Sequence, residues 1–192
     1  IPTIIANGST IKIYYVKDIT QTKELSYNVK YYIDGVEVTG DAYTEKQIVW
    51  INDDNMIDVK EISKENNRYT GYKFDRTDPQ TIPSTILSGS TIKVYYVKDE
   101  TQTKELSYNV KYFKDGIEVE ADAYTVKEKV WVNAPNMINV KTIDTSNTRY
   151  TGYKFDKTNP DVVPTNIANE STINVYYVKD ITQTKELSYN VK

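Results

Sequence analysis

The segment YNVKYYIDGVEV, residues 27–38, decides the fold class of this chain. Two runs rich in β-branched and aromatic residues flank the Asp-Gly dipeptide at 34–35, which strongly favours the tight turn of a β-hairpin. Tyr27, Val29 and Tyr31 alternate with polar residues, as in a strand with one buried face. Tyr32 interrupts that alternation, which predicts either a bulge or a strand covered on both faces.

Other segments on either side also have the composition of strands. The β-branched and aromatic runs are KQIVWI (46–51), MIDVKEI (56–62), RYTGYKF (68–74) and STIKVYYVKD (90–99). The polar tetrapeptide KENN predicts a hairpin between the second and third of them. A short helical turn is expected near Asp53, because in the second copy Pro135 stands where the first turn of a helix tolerates proline. The fold is expected to be mostly β, with a β-rich α+β fold still possible.

The whole pattern recurs along the chain. TQTKELSYNVK occurs at 20–30, 101–111 and 182–192, a constant spacing of 81 residues. A fixed period indicates tandem repeats, and this one exceeds the roughly 20–50 residues of a solenoid unit. It suits a string of small domains, each with its own modest core. The chain begins and ends within a period, so we expect it to be an excerpt of a longer extended array.

The repeat predicts a domain frame. Residues 1–24 form the tail of a preceding repeat plus a junction, 25–99 and 106–180 form two repeat domains, 100–105 join them, and 181–192 form a junction and the start of a further repeat. Ile92, Val94 and Tyr96 should face a core, whereas the matching strand at 11–17 lacks one. That strand is therefore expected to pair with an adjacent repeat or chain. A competing frame starts a domain near Ile1.

Composition excludes several function classes. The chain has 39% hydrophobic residues, 27% charged residues and a net charge of −3, and no apolar run is long enough to span a membrane. Without cysteine or histidine it cannot form zinc sites or the usual nucleophilic triads, so no catalytic residue, metal or cofactor is expected. The acidic balance argues against nucleic acid as a partner.

Two tryptophans are the candidate contact residues. Ile48 corresponds to Lys129 one period later, so this face of the strand should tolerate water, and Trp50 and Trp131 share it. Ile51, by contrast, is expected in the core. A loop that covers the tryptophan is one interpretation, and an exposed platform for a sugar or a protein is the other.

Two further features of the sequence have some of the residues that special chemistry would need. INDDNMID (51–58) is acidic like a calcium loop, but it lacks the glycine and glutamate of an EF-hand, and a solvated turn is the preferred interpretation. An internal isopeptide bond would need a buried lysine beside an asparagine. Lys73 with Asn55, or Lys30, are candidates by composition, against the preferred interpretation of exposed strand lysines.

Three motifs resemble those of a known family. YYIDGVEV (31–38), YTGYKFD (69–75) and GSTIKVYYVKD (89–99) resemble the MucBP-type (mucin-binding protein) tandem repeats of Gram-positive surface adhesins. The resemblance implies small β-grasp-like domains in an extended array, with Ig-like β-sandwich repeats as the alternative. It also implies an extracellular, cell-wall-attached stalk without catalytic residues.

The expected function follows from the repeat and the resemblance together. We expect a non-catalytic repeat segment of a surface stalk that acts as an extended spacer, because identical junctions at fixed spacing repeat one inter-domain geometry. The alternative is a binding module for host glycans or mucin that uses exposed aromatic residues. No membrane contact by this segment is expected.

Overall fold

The computed structural model describes residues 2–191, and nearly all their regular structure is β-strand. Ile1 and Lys192, at the ends of the predicted segments 1–24 and 181–192, lie outside the described residues. The strands are β1 (Thr22–Ile33), β2 (Val36–Glu37), β3 (Tyr43–Trp50), β4 (Met56–Asp58), β5 (Tyr72–Asp78), β6 (Thr85–Leu87), β7 (Thr91–Lys98), β8 (Thr103–Lys114), β9 (Ile117–Glu118), β10 (Tyr124–Trp131), β11 (Met137–Asn139), β12 (Tyr153–Asn159), β13 (Asn166–Ala168) and β14 (Ser171–Lys179).

The only helical segments among the described residues are two 3-10 turns. They span Thr39–Asp41 and Glu120–Asp122. The helical turn predicted near Asp53 and Pro135 was wrong, since Asp53 closes a hydrogen-bonded turn after β3 and Pro135 lies in irregular structure after the matching turn. The fold is therefore mostly β, as the composition of the strands predicted.

The chain divides into two compact units. One takes in the residues up to Arg68 together with Tyr72–Lys98, and the other takes in Tyr69–Gly71 together with the residues from Asp99 onward. Each unit has a five-stranded sheet and a separate two-stranded sheet with the same strand order. In the large sheet of the first unit, β1 pairs with β2 and β3 along one edge and with β7 along the other. β5 then pairs with the far edge of β7.

The first and last strands of each unit lie side by side and parallel. β1 pairs with β7 from Asn28↔Thr91 to Ile33↔Tyr96, and β8 pairs with β14 in the same way. The other pairings in each large sheet are antiparallel. A mixed sheet with a central parallel pair of terminal strands is the β-grasp-like arrangement that was predicted. It differs from the Ig-like alternative, which packs two antiparallel sheets face to face.

The predicted hairpin turn is confirmed in both units. Asp34 and Gly35 have φ values of 47° and 83°, and Asp115 and Gly116 have the same two values. Positive φ at both central residues defines the type I′ turn that Asp-Gly favours. The turn joins β1 to β2 and fixes their register.

The core lies on one face of the large sheet. Ile92, Val94 and Tyr96 of β7 are at most 1% exposed, as predicted. Alternate residues of β1 complete that face: Leu25, Tyr27, Val29 and Tyr31. Three tyrosine rings per unit therefore fill core positions that leucine or phenylalanine side chains often fill in other proteins. Each buries a large apolar surface but brings a hydroxyl that needs a hydrogen-bond partner.

An irregular segment covers this core. Ile57 and Ile62 are buried, yet only Met56–Asp58 is a strand, and it pairs with β6. The hairpin predicted from 56–62 and 68–74 was therefore wrong, because β5 pairs with β7 instead.

The tyrosine hydroxyls explain why the covering segment is irregular. They bind its backbone groups directly, in place of a strand ladder. The Lys60 N–H donates to the Tyr27 hydroxyl over 3.0 Å, the Tyr96 hydroxyl donates to the Glu65 carbonyl over 3.1 Å, and the Tyr31 hydroxyl donates to the Ser63 carbonyl over 3.4 Å. The second unit repeats this pattern through Tyr108 and Tyr177.

Residues 2–21, which precede β1, form no strand, so the strand expected at 11–17 is absent. Ile11, Ile13 and Tyr15 are 48%, 66% and 92% exposed. No helix among residues 2–191 has the length and apolar character needed to cross a membrane.

Candidate functional site

An aromatic pair lies on the sheet face opposite the core. Tyr32 of β1 and Tyr95 of β7 are directly paired across the parallel strands, and their rings stack with centroids 5.0 Å apart. The Arg76 guanidinium lies 4.4 Å above the Tyr95 ring, and Lys30 forms a 3.1 Å ion pair with Glu37 nearby on this face. We call Tyr32 and Tyr95 the outer aromatic pair. It explains why Tyr32 broke the alternation predicted for a half-buried strand.

The second unit has the same outer aromatic pair. Phe113 and Tyr176 stack at 5.0 Å, with the Lys157 ammonium 5.8 Å above Tyr176. Lys111 and Glu118 repeat the neighbouring ion pair at 3.1 Å. Sequence reasoning did not select this feature, although the adjacent tyrosines in VYYV at 94–97 were a signal. One ring of such a pair must point to each face of the sheet.

The two tryptophans are half-buried at the ends of β3 and β10. The Trp50 indole N–H donates to the Asp18 carbonyl over 2.8 Å, and the Lys17 ammonium lies 4.2 Å above the ring. The Trp131 indole N–H donates to the Gly71 carbonyl over 3.0 Å, within the second unit. Both polar edges are thus bound to backbone carbonyls, which favours the covered interpretation. Contact with a ligand remains a prediction.

The alternation of side chains between the two faces of β3 ends at Trp50. Ile48 is 70% exposed, in agreement with the predicted water-tolerant face. Ile51 was predicted in the core and is 42% exposed, so that prediction was wrong. The reason is local, because β3 ends at Trp50 and Ile51 begins a turn in which side chains no longer alternate.

The acidic turn after β3 already contains a cation from the protein itself. The Lys23 ammonium donates to the Asp53 carbonyl and, over 2.8 Å, to Oδ1 of Asn55. Lys104 makes the same two contacts in the second unit, with the Ala134 carbonyl and Oδ1 of Asn136. No group of three or more potential metal-binding side chains occurs among the described residues. The lysine therefore binds oxygens that a calcium loop would present to the metal.

This lysine contact predicts the response to calcium. Millimolar Ca²⁺ should leave the melting temperature of the chain unchanged, because the turn oxygens already accept hydrogen bonds from an ammonium. Lys104→Met should lower the melting temperature of the second unit by a few degrees, since two charge-assisted hydrogen bonds are lost. Calorimetry with and without Ca²⁺ measures both effects. A clear Ca²⁺-dependent rise in the unsubstituted chain would contradict the assignment.

The isopeptide candidates are engaged elsewhere or exposed. Lys30 is bonded to Glu37, which raises the pKa of the lysine through the hydrogen bond and the opposite charge. Lys73 is exposed on β5, and Asn55 contacts Lys23 instead. The structure does not bring together the pairs considered from composition.

A recurrent turn follows the last strand of each repeat. Asp99 Oδ1 accepts hydrogen bonds from the backbone N–H and the hydroxyl of Thr101, and the Gln102 amide donates to Asp99 Oδ2. Asp18 and Asp180 begin the same turn with the Thr-Gln that follows each. These hydrogen bonds lower the pKa of the Asp18 and Asp180 carboxyls, chiefly through the threonine hydroxyls. The opening residues of TQTKELSYNVK thus belong to an ordered turn.

Comparison with known proteins gives two similar solved structures. No protein-family model matches the chain, and no curated protein matches it. One solved structure is the type 2 repeat of the mucus binding protein MUB from Lactobacillus reuteri, at 12% identity and a TM-score of 0.27. The match covers 81% of this chain and 100% of that one.

The second match has nearly the same values. It is the structure titled Mub-RV, at 11% identity and a TM-score of 0.27, and it covers 81% of this chain and 99% of that one. This chain is similar to mucus binding protein repeats. The motifs at 31–38, 69–75 and 89–99 resemble the same kind of repeat. At these identities the assignment of the fold rests on the strand order described above.

Proposed function

We propose that this chain is a non-catalytic segment of a bacterial surface adhesin or stalk, in which each repeat acts as an extended, load-bearing spacer. The observation that carries the proposal is the parallel central pairing of the first and last strands in each unit. The backbone enters at one end of this pair and leaves at the other, so tension along the chain would load the pair in shear. A spacer under tension needs this property.

The setting of such a spacer is part of the same proposal. Repeat domains at 25–99 and 106–180 would follow one another in a longer extracellular array, joined by the junction at 100–105. Attachment to a Gram-positive cell wall would come from other parts of the protein. The similarity to a repeat of a mucus binding protein is consistent with this setting.

A second candidate function is binding of host glycan or mucin. The outer aromatic pair favours it, because stacked rings beside charged side chains offer an apolar surface with adjacent hydrogen-bonding groups for a sugar. Trp50 and Trp131 remain candidate contact residues for the same role.

Binding assays separate the two candidates. The intact chain should show no reproducible signal on a glycan array or on immobilised mucin if it is a spacer, with a lectin of known specificity as the positive control. A signal lost at least tenfold in Tyr95→Ala, or in Trp50→Ala, would favour the binding module. Ile48→Ala, which removes an exposed side chain from β3, is the matched control and should leave any signal unchanged.

A further inference from the structure

Two copies of a Tyr-Thr-Gly tripeptide are held by the same turn. At Gly71 the Asp99 N–H donates to the glycine carbonyl over 2.8 Å, and the glycine N–H donates to Oε1 of Gln102 over 2.9 Å. At Gly152 the corresponding partners are Asp180 at 2.8 Å and Gln183 at 3.0 Å. The two glycines have φ values of 83° and 81°, so their backbones match as well.

Apart from this shared turn, the surroundings of the two tripeptides differ. The Trp131 indole donates to the Gly71 carbonyl over 3.0 Å, and the Asn133 amide donates to the Thr70 carbonyl over 2.7 Å. A Cβ at Gly71 would lie 2.5 Å from Nδ2 of Asn133 and 3.0 Å from the Trp131 ring. A Cβ at Gly152 would have no neighbour within 4 Å among the described residues. The backbone at Gly152 thus has the same hydrogen bonds to the turn as Gly71, and only Gly71 also contacts a Trp-Xaa-Asn segment among the described residues.

We propose that residues 150–152 are a docking site for the Trp-Xaa-Asn segment of a further repeat in the same chain. The inference rests on the proposed function as an array. The Gly152 carbonyl already accepts one hydrogen bond, from Asp180, and an indole N–H would supply a second donor as Trp131 does at Gly71. The asparagine two residues later would donate to the exposed Thr151 carbonyl.

The alternative occupant is the Trp50 segment of a second copy of the chain. A further repeat is favoured instead, because the Trp50 indole N–H is already bonded to the Asp18 carbonyl. Binding in trans would have to break that hydrogen bond and the contact of Lys17 with the ring. Covalent linkage also supplies a high effective concentration that separate chains lack.

A lengthened chain tests the proposal. A copy of residues 112–181 is appended after Lys192, which continues the period because 182–192 repeats 101–111. Gly71→Ala and Gly152→Ala are compared by calorimetry in both lengths. Both place a side chain at a positive φ, so the strain is shared. In the 192-residue chain Gly71→Ala should lower the melting temperature by about 5 °C more, because it alone displaces Trp131 and Asn133.

In the lengthened chain the effect of Gly152→Ala should grow to match that of Gly71→Ala. Indole hydrogen exchange gives a second measurement on the unsubstituted protein, in which the added tryptophan should exchange as slowly as Trp131. A Gly152→Ala effect that is independent of length, together with fast exchange of the added indole, would overturn the proposal. Concentration-dependent dimers of the 192-residue chain that Gly152→Ala abolishes would also overturn it, in favour of docking between chains.

Failure of the docking and failure of the load-bearing role can be told apart. Resistance to shear depends on the central strands, so a chain that resists force while Gly152→Ala is insensitive to length would refute only the docking. Conversely, docking with weak resistance to force would refute only the load-bearing role.

Discussion

Pulling on the first unit through handles at residues 19 and 100 should require several times the force needed through handles at residues 36 and 100. The first pair of handles loads β1 and β7 in opposite directions along their length, so the six paired positions from Asn28↔Thr91 to Ile33↔Tyr96 must yield together. The second pair separates the same strands from one end, and the hydrogen bonds then break one after another. The chain has no native cysteine, which makes single cysteine handles straightforward.

The comparison separates the effect of the pulling direction from any effect of the substitutions on thermal stability. Ile19→Cys and Val36→Cys both replace side chains that are more than 70% exposed, so each is expected to leave thermal stability nearly unchanged. Single-molecule force spectroscopy on the two variants then differs only in the direction of load. Equal unfolding forces for the two attachment geometries would remove the mechanical argument for a spacer.

Local rules predicted the parts of the fold that local interactions determine. The Asp-Gly turn at 34–35 needs only two residues with positive φ, and the alternation in β7 needs only one buried face. The segment 56–62 has the residues of a strand, yet beyond Asp58 the Lys60 N–H donates to the Tyr27 hydroxyl, and the Glu65 carbonyl that follows the segment accepts from the Tyr96 hydroxyl. Those partners are more than 30 residues away in sequence, so propensity within the segment could not reveal them.

The candidate site was predictable to a similar extent. Comparison of the two repeats identified Ile48 as exposed, and the alternation of side chains along the strand placed Trp50 on the same face. It could not show that the indole N–H meets the Asp18 carbonyl, because that contact depends on how the chain turns before β1. The outer aromatic pair needed the parallel register of two strands 63 residues apart, as Tyr32 and Tyr95 are.

The tyrosine-rich core predicts unfolding in alkali. Burial raises the pKa of Tyr31, Tyr96, Tyr112 and Tyr177, because the phenolate would lose its hydration. Burial also raises the pKa of Tyr43 and Tyr124 to about 12. An unfolded tyrosine ionises near pH ~10.

The sign of the effect follows from linkage. Each raised pKa contributes stability that is fully present below pH ~10 and is lost as the pH rises toward the folded value, because the unfolded chain releases its protons first. Every tyrosine that ionises only on unfolding adds about 1.4 kcal/mol per pH unit to the slope. Two fully buried tyrosines in each unit contribute in full, and Tyr43 and Tyr124 contribute less because they are 36% and 40% exposed. Stability should therefore fall steeply between about pH 10 and pH 12.

Urea unfolding at a series of pH values, followed by circular dichroism, measures this fall. Tyr43→Phe should make the slope shallower in the first unit, whereas Tyr189→Phe, at an 87% exposed side chain, should leave it unchanged. Lysine ion pairs such as Lys30–Glu37 also weaken in this range, since the raised pKa of Lys30 means that their stability is lost at high pH. High salt screens those exposed pairs but does not rehydrate a buried phenol, so the fall should persist in high salt. Stability that stays level up to pH 12 would show that the core hydroxyls are not held in the neutral form by burial.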